Sequence, residues 1–427
     1  ELNQLDSLTV ISRTSAARFK NSELSVPEIA DSLGVDAVIE GDVFRDGDSV
    51  RISASLIRAH PERQLWTGTY TRSLRNLMSL HAEVTRAVAQ EIEIALTPQV
   101  EARLAGAQEA DPEAYELYLR GHVLLGEYTE EAFWKAKEYF EAAIARDSSY
   151  AVAYVGLAST YSQLGFYGAV PPREAESRMR AYAARALSLD EDLADARAVM
   201  ASSLKETWDW SGAERELRQA IALEANSEFA RREYSSLLRA LGRHEEALQQ
   251  AEMALRINPL SPLANIEAGF VYWDAERYDE AVQLVQKSLD LDSMHVNAHY
   301  TLGLAYGQLG RFDDAVTAMQ RSVALSGGSP VRLSGLGWAY AVAGRPDSAA
   351  AILERLEQLL DSVDVSPMLP AFIHTALGNH DRALELLERA YRERSPFMRY
   401  LKVEPRLKPL RGDARFQTLL RQMGLTS

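Results

Sequence analysis

One spacing constrains this chain more than any other feature. From Ala194 to Asp364 the same pattern restarts every 34 residues, at Ala194, Glu228, Pro262, Val296, Pro330 and Asp364. The eighth residue of each unit is small: Ala201, Ser235, Gly269, Gly303, Gly337 and Ala371. The twentieth is alanine: Ala213, Ala247, Ala281, Ala315, Ala349 and Ala383. A fixed period of this length marks a solenoid, in which one supersecondary unit cannot bury its apolar face alone and stacks on its neighbours. The two small positions predict a pair of antiparallel helices whose backbones approach closely. Because each unit touches only its neighbours, 427 residues need no single large core.

Composition narrows the partners. The formal net charge of -15 repels nucleic acid and anionic membrane faces, and no Lys/Arg cluster offsets it. There is no cysteine, which excludes disulfides and Cys-ligated metal, and sits more comfortably in an oxidising compartment. No run of 18 apolar residues offers a membrane span, so no direct membrane insertion is expected. The chain opens on Glu1 rather than Met, which suggests a piece of a longer polypeptide whose anchor or targeting signal lies upstream.

Residues 1–100 follow a different pattern. Leu8–Thr14 reads as a strand, and Ser25 as the cap of a short helix with Pro27 in its first turn, ending at Gly34. Residues 36–45 and 49–59 read as strands joined at Asp46-Gly47, and 64–70 as another. Val50, Ile52, Ala54 and Leu56 alternate with polar residues, giving a half-buried face. Leu77, Leu80, Val84, Val88, Ile92 and Leu96 mark an amphipathic helix, which Thr97-Pro98 ends. The wording VISRTSAARFK, EIADSLGVDAVIEGDVFRDGDSVRISASLIRA and LWTGTYTRSL resembles the small α/β domain called TolB-like or FlgO-like. That resemblance implies a parent in which a serine/threonine kinase, adenylate cyclase or winged-helix domain comes first, frequently across a membrane span. It favours an extracytoplasmic setting, with a cytoplasmic one as the alternative. The family domain opens with a further strand and helix, so a start at Glu1 leaves one strand position empty, an open edge suited to strand pairing.

A linker at 101–111 leads to helical hairpins over 112–395. The 34-residue unit resembles the tetratricopeptide repeat, and about eight units fit, forming a right-handed superhelix. The second is longer: Ala151 to Ala194 is nine residues over the period, and GFYGAVPPRE reads as a protruding loop. Pro367 and Pro370 should shorten or displace the first helix of the last unit. Residues 396–427 break the period and should cap the end of the stack. The fold class is thus mostly α, preceded by a small, N-terminally incomplete α/β domain.

The resemblance implies that the first helix of each unit lines an inner groove. The side chains falling there include Lys205, Arg232, Arg239, Phe270, Trp273, Tyr300, Trp338 and Phe372. Arginine and aromatic residues are the usual anchors of interfaces. A protein or peptide segment is expected here, its apolar side chains near Phe270, Trp273, Tyr300 and Trp338, its acidic group near Arg232 and Arg239. The competing reading is that the aromatics simply pack between helices. A carboxylate clamp of the kind some such arrays carry is not supported, since Arg232 precedes Ser236 and Tyr300 precedes Leu304.

Chemical signals are sparse. His295 and His299 stand one turn apart without an obvious third metal ligand, and Arg411-Gly412-Asp413 is better explained as a turn. No P-loop, GxSxG or complete GxGxxG occurs. No cofactor, metal or catalytic residue is expected. The expected function is non-catalytic binding, as the sensory or regulatory region of a bacterial signalling protein. Two alternatives are the C-terminal part of a kinase or cyclase whose catalytic domain lies elsewhere, and the arm of a transcriptional regulator.

Overall fold

The computed structural model describes residues 8–20, 22–46, 49–73, 77–92, 101, 111–126, 129–166, 169–360 and 365–426. Leu8–Ser12 is irregular rather than a strand, and runs into a single turn, Arg13–Ala16 (α1), and a 3-10 turn, Ala17–Phe19. Its β-forming residues lose to tertiary capture. The Ser12 N–H donates to the Ile257 carbonyl at 2.9 Å, and the Ser12 and Ser15 hydroxyls both donate to Asn258 Oδ1 at 2.6 Å. Arg18 Nη2 donates to the Leu291 carbonyl at 3.1 Å, so the segment follows the turns between successive repeats.

Val26–Leu33 (α2) forms as its sequence predicts, with a capping box between Ser25 and Glu28 and Gly34 left-handed at φ 66. Ala37–Asp46 (β1), Ser49–Arg58 (β2) and Arg63–Ser73 (β3) make an antiparallel meander, with Ala37 opposite Arg58 and Ser49 opposite Ser73. Residues 47–48 of the first turn lie outside the described residues. Val50, Ala54 and Leu56 are buried on one face, and Leu77–Glu91 (α3) lies beside β3. Leu96 and Thr97-Pro98 fall outside the described residues. Ile39, Val43 and Phe44 of the edge strand β1 are exposed.

The period becomes eight helical hairpins among the described residues. They are Pro112–Leu125 with Glu130–Arg146 (α4, α5), Ala151–Phe166 with Pro172–Leu189 (α6, α7), and Ala194–Glu206 with Trp210–Leu223 (α8, α9). Next come Glu228–Ala240 with His244–Ile257 (α10, α11), Pro262–Asp274 with Tyr278–Leu291 (α12, α13), and Val296–Gln308 with Phe312–Leu325 (α14, α15). Pro330–Val342 with Pro346–Leu359 (α16, α17) and Met368–Ala376 with His380–Arg392 (α18, α19) complete the set. Side-chain caps start several of them: Ser227 accepts from the Ala230 N–H, and Ser261 from the Ala264 N–H, both at 3.1 Å.

The small positions are steric. A Cβ on Gly303 would stand 2.7 Å from Met319 Cγ, and one on Gly269 2.5 Å from Val285 Cγ2. The nine extra residues of the second unit lengthen its helices to 16 and 18 residues, against 13 and 14 in the third. The expected protruding loop is therefore short, and its Val170 tucks into a core with Phe133, Leu164 and Ala175. The last unit is shortened as its prolines require: α18 has nine residues.

Inside each regular hairpin the chain turns through a left-handed residue. Gly242 (φ 75), Gly310 (φ 74), Gly344 (φ 68) and Gly378 (φ 80) do so without a Cβ penalty. Trp208 (φ 62) and Glu276 (φ 58) occupy the same place in their units and carry that penalty.

After α19 the chain forms 3-10 turns at Pro396–Tyr400 and Pro405–Leu410, then a helix, Ala414–Gln422 (α20). The expected end cap is corrected here, because this tail returns into the hollow of the array. Met398, Leu401, Leu407, Leu410, Phe416, Leu419 and Met423 share one core with Leu217, Leu237 and Leu238 of the third and fourth hairpins and with Phe372 and Leu387 of the eighth. The Trp210 indole donates to the Met423 carbonyl at 2.6 Å, and Trp208 stacks on Tyr391 at 5.1 Å. The tail thereby ties the third hairpin to the eighth.

Candidate partner-binding groove

The first helices of the hairpins do line a common inner surface, and the chain's own residues 396–411 occupy it. At one end Arg399 pairs with Glu206 at 2.8 Å. The Tyr400 hydroxyl lies 2.9 Å from Ser236 Oγ, and its ring lies under the Arg239 guanidinium at 4.7 Å. Lys402 Nζ donates to the Leu241 carbonyl at 2.9 Å. At the centre Arg406 donates through Nε and Nη2, one edge of its guanidinium, to the two carboxylate oxygens of Glu404, each at 2.8 Å, and through Nη1 to the Tyr300 hydroxyl at 3.1 Å. The same guanidinium lies 3.6 Å from the Phe372 ring centroid and 5.7 Å from that of Trp273. Lys408 pairs with Glu276 at 2.7 Å at the far side.

The basic residues expected to receive an acidic partner are already neutralised. Lys205 is buried and pairs with Glu233 at 2.6 Å. Arg232 pairs with Glu228, one turn earlier on its own helix, at 2.6 Å and with Glu267 of the next unit at 2.9 Å. Arg239 pairs with Asp274 at 2.6 Å. An acidic group placed near Arg232 and Arg239 would meet these carboxylates, so the expected polarity is reversed: the groove offers acid and its occupant offers base. Trp338 does not face the tail. Its ring fills the space above Gly307, where a Cβ would come within 2.4 Å of it, so it is a packing residue. Phe270 is half-buried beside Arg239, with 5.3 Å between ring centroid and guanidinium. Trp273, Tyr300 and Phe372 converge on Arg406.

The groove residues that the repeat pattern missed are Glu206, Asp274 and Glu276, together with the whole occupant. A signal was present: Arg399, Lys402, Arg406, Lys408 and Arg411 concentrate positive charge in one stretch of an acidic chain. The His299 ring bonds the Ser293 carbonyl at 3.0 Å. Among the described residues no group of three His, Asp or Glu is placed to hold a metal ion. No helix among them is long and apolar enough to cross a membrane.

Burial decides the electrostatics of the groove. It pushes the Asp274 carboxyl up to about 6, although Arg239 pulls the other way. Burial also works against the Arg406 charge, but the Glu404 carboxylate outweighs it and raises that group. Asp274 thus titrates above its unfolded value of about 3.9, so the folded state takes up a proton between about pH 4 and 6, and its charge weighs against the fold above that window. The Asp274 share of stability should fall as pH rises through the window. Urea denaturation at several pH values should show the stability of D274N falling less, or rising more, with pH across the window than that of the natural chain; parallel curves would contradict this assignment.

Comparison with known proteins agrees with the geometry. A tetratricopeptide repeat family model matches residues 199–262 and 267–330, and a second model of the same repeat matches 330–355. A stretch of 157 residues, 37% of this chain, is 28% identical to the putative adenylate cyclase 3 of Rhizobium meliloti (strain 1021). The match spans 27% of that protein's length. Among solved structures, PilF of Pseudomonas aeruginosa aligns over 51% of this chain and 95% of its own, at 21% identity and a TM-score of 0.40. PilW, a type IV pilus biogenesis factor, aligns over 50% of this chain and 95% of its own, at 19% identity and a TM-score of 0.42. Residues 199–355, which span the third to seventh hairpins, thus carry tetratricopeptide repeats.

Proposed function

We propose that this chain is the non-catalytic interaction region of a larger signalling polypeptide, and that its inner surface recognises an extended segment of protein. One observation carries the reading. Residues 396–411 lie in the groove as a bound peptide would, held by side chains from five different first helices: Glu206, Ser236, Trp273, Tyr300 and Phe372. The partial likeness to a putative adenylate cyclase supports a parent that carries a cyclase domain, the alternative given by the N-terminal resemblance. The three-stranded meander with its two helices supports the TolB-like assignment of the N-terminal unit, whose β1 edge offers a second contact surface.

Selection of a displayed random-peptide library on the full chain tests the reading. Enriched peptides should share a sequence pattern and compete with one another for one site. A library that yields no enriched family, on the natural chain or on one with a weakened tail, would end it.

A further inference from the structure

Three aromatic side chains from separate hairpins, Trp273, Tyr300 and Phe372, converge on the single guanidinium of Arg406. A cation within about 6 Å of ring faces is attracted by their quadrupoles, most strongly where water is excluded. All three rings are at least 95% buried, with exposures of 2%, 5% and 2%. The fit of the chain's own segment is incomplete. Trp273 Nε1 is buried with no hydrogen-bond acceptor among the described residues, and so is Arg411 Nε. A buried donor without an acceptor is destabilising and calls for an explanation. The turns carry a second mark of compromise. The three residues other than glycine with positive φ among the described residues are Trp208, Glu276 and Arg394. Glu276 binds Lys408, and Arg394 lies 4.0 Å over the Trp208 ring where the third hairpin meets the start of the tail. Observed strain of this kind gathers at clamps and switch regions. Beside the tail an open cavity of about 340 Å³, lined by His244, Asp274, Glu276, Lys402 and Arg411, leaves room for a different backbone path.

We propose that the Trp273–Tyr300–Phe372 cage is a guanidinium-binding subsite for a partner polypeptide, and that residues 402–411 are its internal competitor. The partner segment carries an arginine followed by apolar residues at the first and fourth places after it, as Leu407 and Leu410 follow Arg406. It brings a further basic residue to Glu276, and an acceptor for the Trp273 indole that the chain's own segment does not supply. Its positive charge complements Glu206 and Glu276, the groove acids that hold Arg399 and Lys408 of the chain's own tail. The inference rests on the reading of the array as a polypeptide-binding surface and adds what it binds and what blocks it.

The test uses the full chain and a fluorescein-labelled peptide of residues 402–412, followed by fluorescence anisotropy. Y400A/K408A removes the tail's contacts to Ser236, Arg239 and Glu276 without touching the cage. It should bind the peptide at least about tenfold more tightly than the natural chain, and a peptide with alanine for Arg406 should lose about tenfold or more. K408A alone, at an exposed residue, should give a smaller gain in the same direction and serves if the double variant does not fold. Equal affinity of variant and natural chains, or equal binding of the alanine peptide, would overturn the exchange. Library selection that succeeds while this assay fails would leave the interaction reading standing and remove only the arginine subsite.

Discussion

Arg406→Ala should destabilise the chain by about 3–5 kcal/mol, because it breaks a buried ion pair and leaves its partner charged. Both side chains of the Glu404–Arg406 pair are at least nine-tenths buried, 7% and 5% exposed. Removing the guanidinium also strips the Tyr300 hydroxyl of its donor and leaves a hole against Phe372. The sign of a second change separates charge from packing. E404Q/R406A removes the stranded charge while leaving the same hole, and should recover a substantial part of the loss, since an uncompensated buried charge carries much of the cost of breaking such a pair. Urea denaturation monitored by tryptophan fluorescence reads both. Equal losses for the single and double variants would mean that the cost comes from packing alone.

Phe140→Ala should cost a similar amount, about 3–5 kcal/mol, at the other end of the molecule. The Phe140 ring is fully buried and wedged against the backbones of α4 and α6: a Cβ on Gly121 would come within 2.9 Å of it, and one on Gly156 within 2.4 Å. The two glycines have no side chains with which to fill the vacated space. Stability in a repeat array is nearly a sum of unit and neighbour terms, so the loss should stay local. Hydrogen exchange should show faster opening of α4–α7 with protection of α8–α19 retained. Uniform loss of protection would show instead that the array melts as one body.

The repeat region was legible because its physics is local and periodic. Ala213, Gly303 and the left-handed glycines recur where two helices must touch or the chain must reverse, and the observed hairpins begin on the same spacing. Two kinds of information were not periodic and were misread. Leu8–Thr14 has the composition of a strand, yet Asn258, more than two hundred residues away in sequence, captures Ser12 and Ser15. The tail after Pro396 carries no repeat, and its docking depends on carboxylates contributed by Glu206, at the end of a helix, and Glu276, in the turn of a different hairpin. The groove positions were expected from the resemblance to the tetratricopeptide repeat, but a repeat says nothing of what fills the groove. Reading Arg232 and Arg239 as free cations failed for the same reason. Their acids, Glu267 and Asp274, stand one unit further along, a cross-repeat pairing that only the stacked geometry brings within reach.

The junction of the third and eighth hairpins by one tail has a mechanical consequence. A free solenoid changes pitch like a spring, each unit yielding a little. Here hairpins three to eight form a braced arc, with Met398, Leu407 and Phe416 acting as its chord. Bending at α8 has to be matched at α18, whereas the first two hairpins hang outside the brace. Compliance is therefore graded along the array: stiff where the chord runs, softer over the first two hairpins.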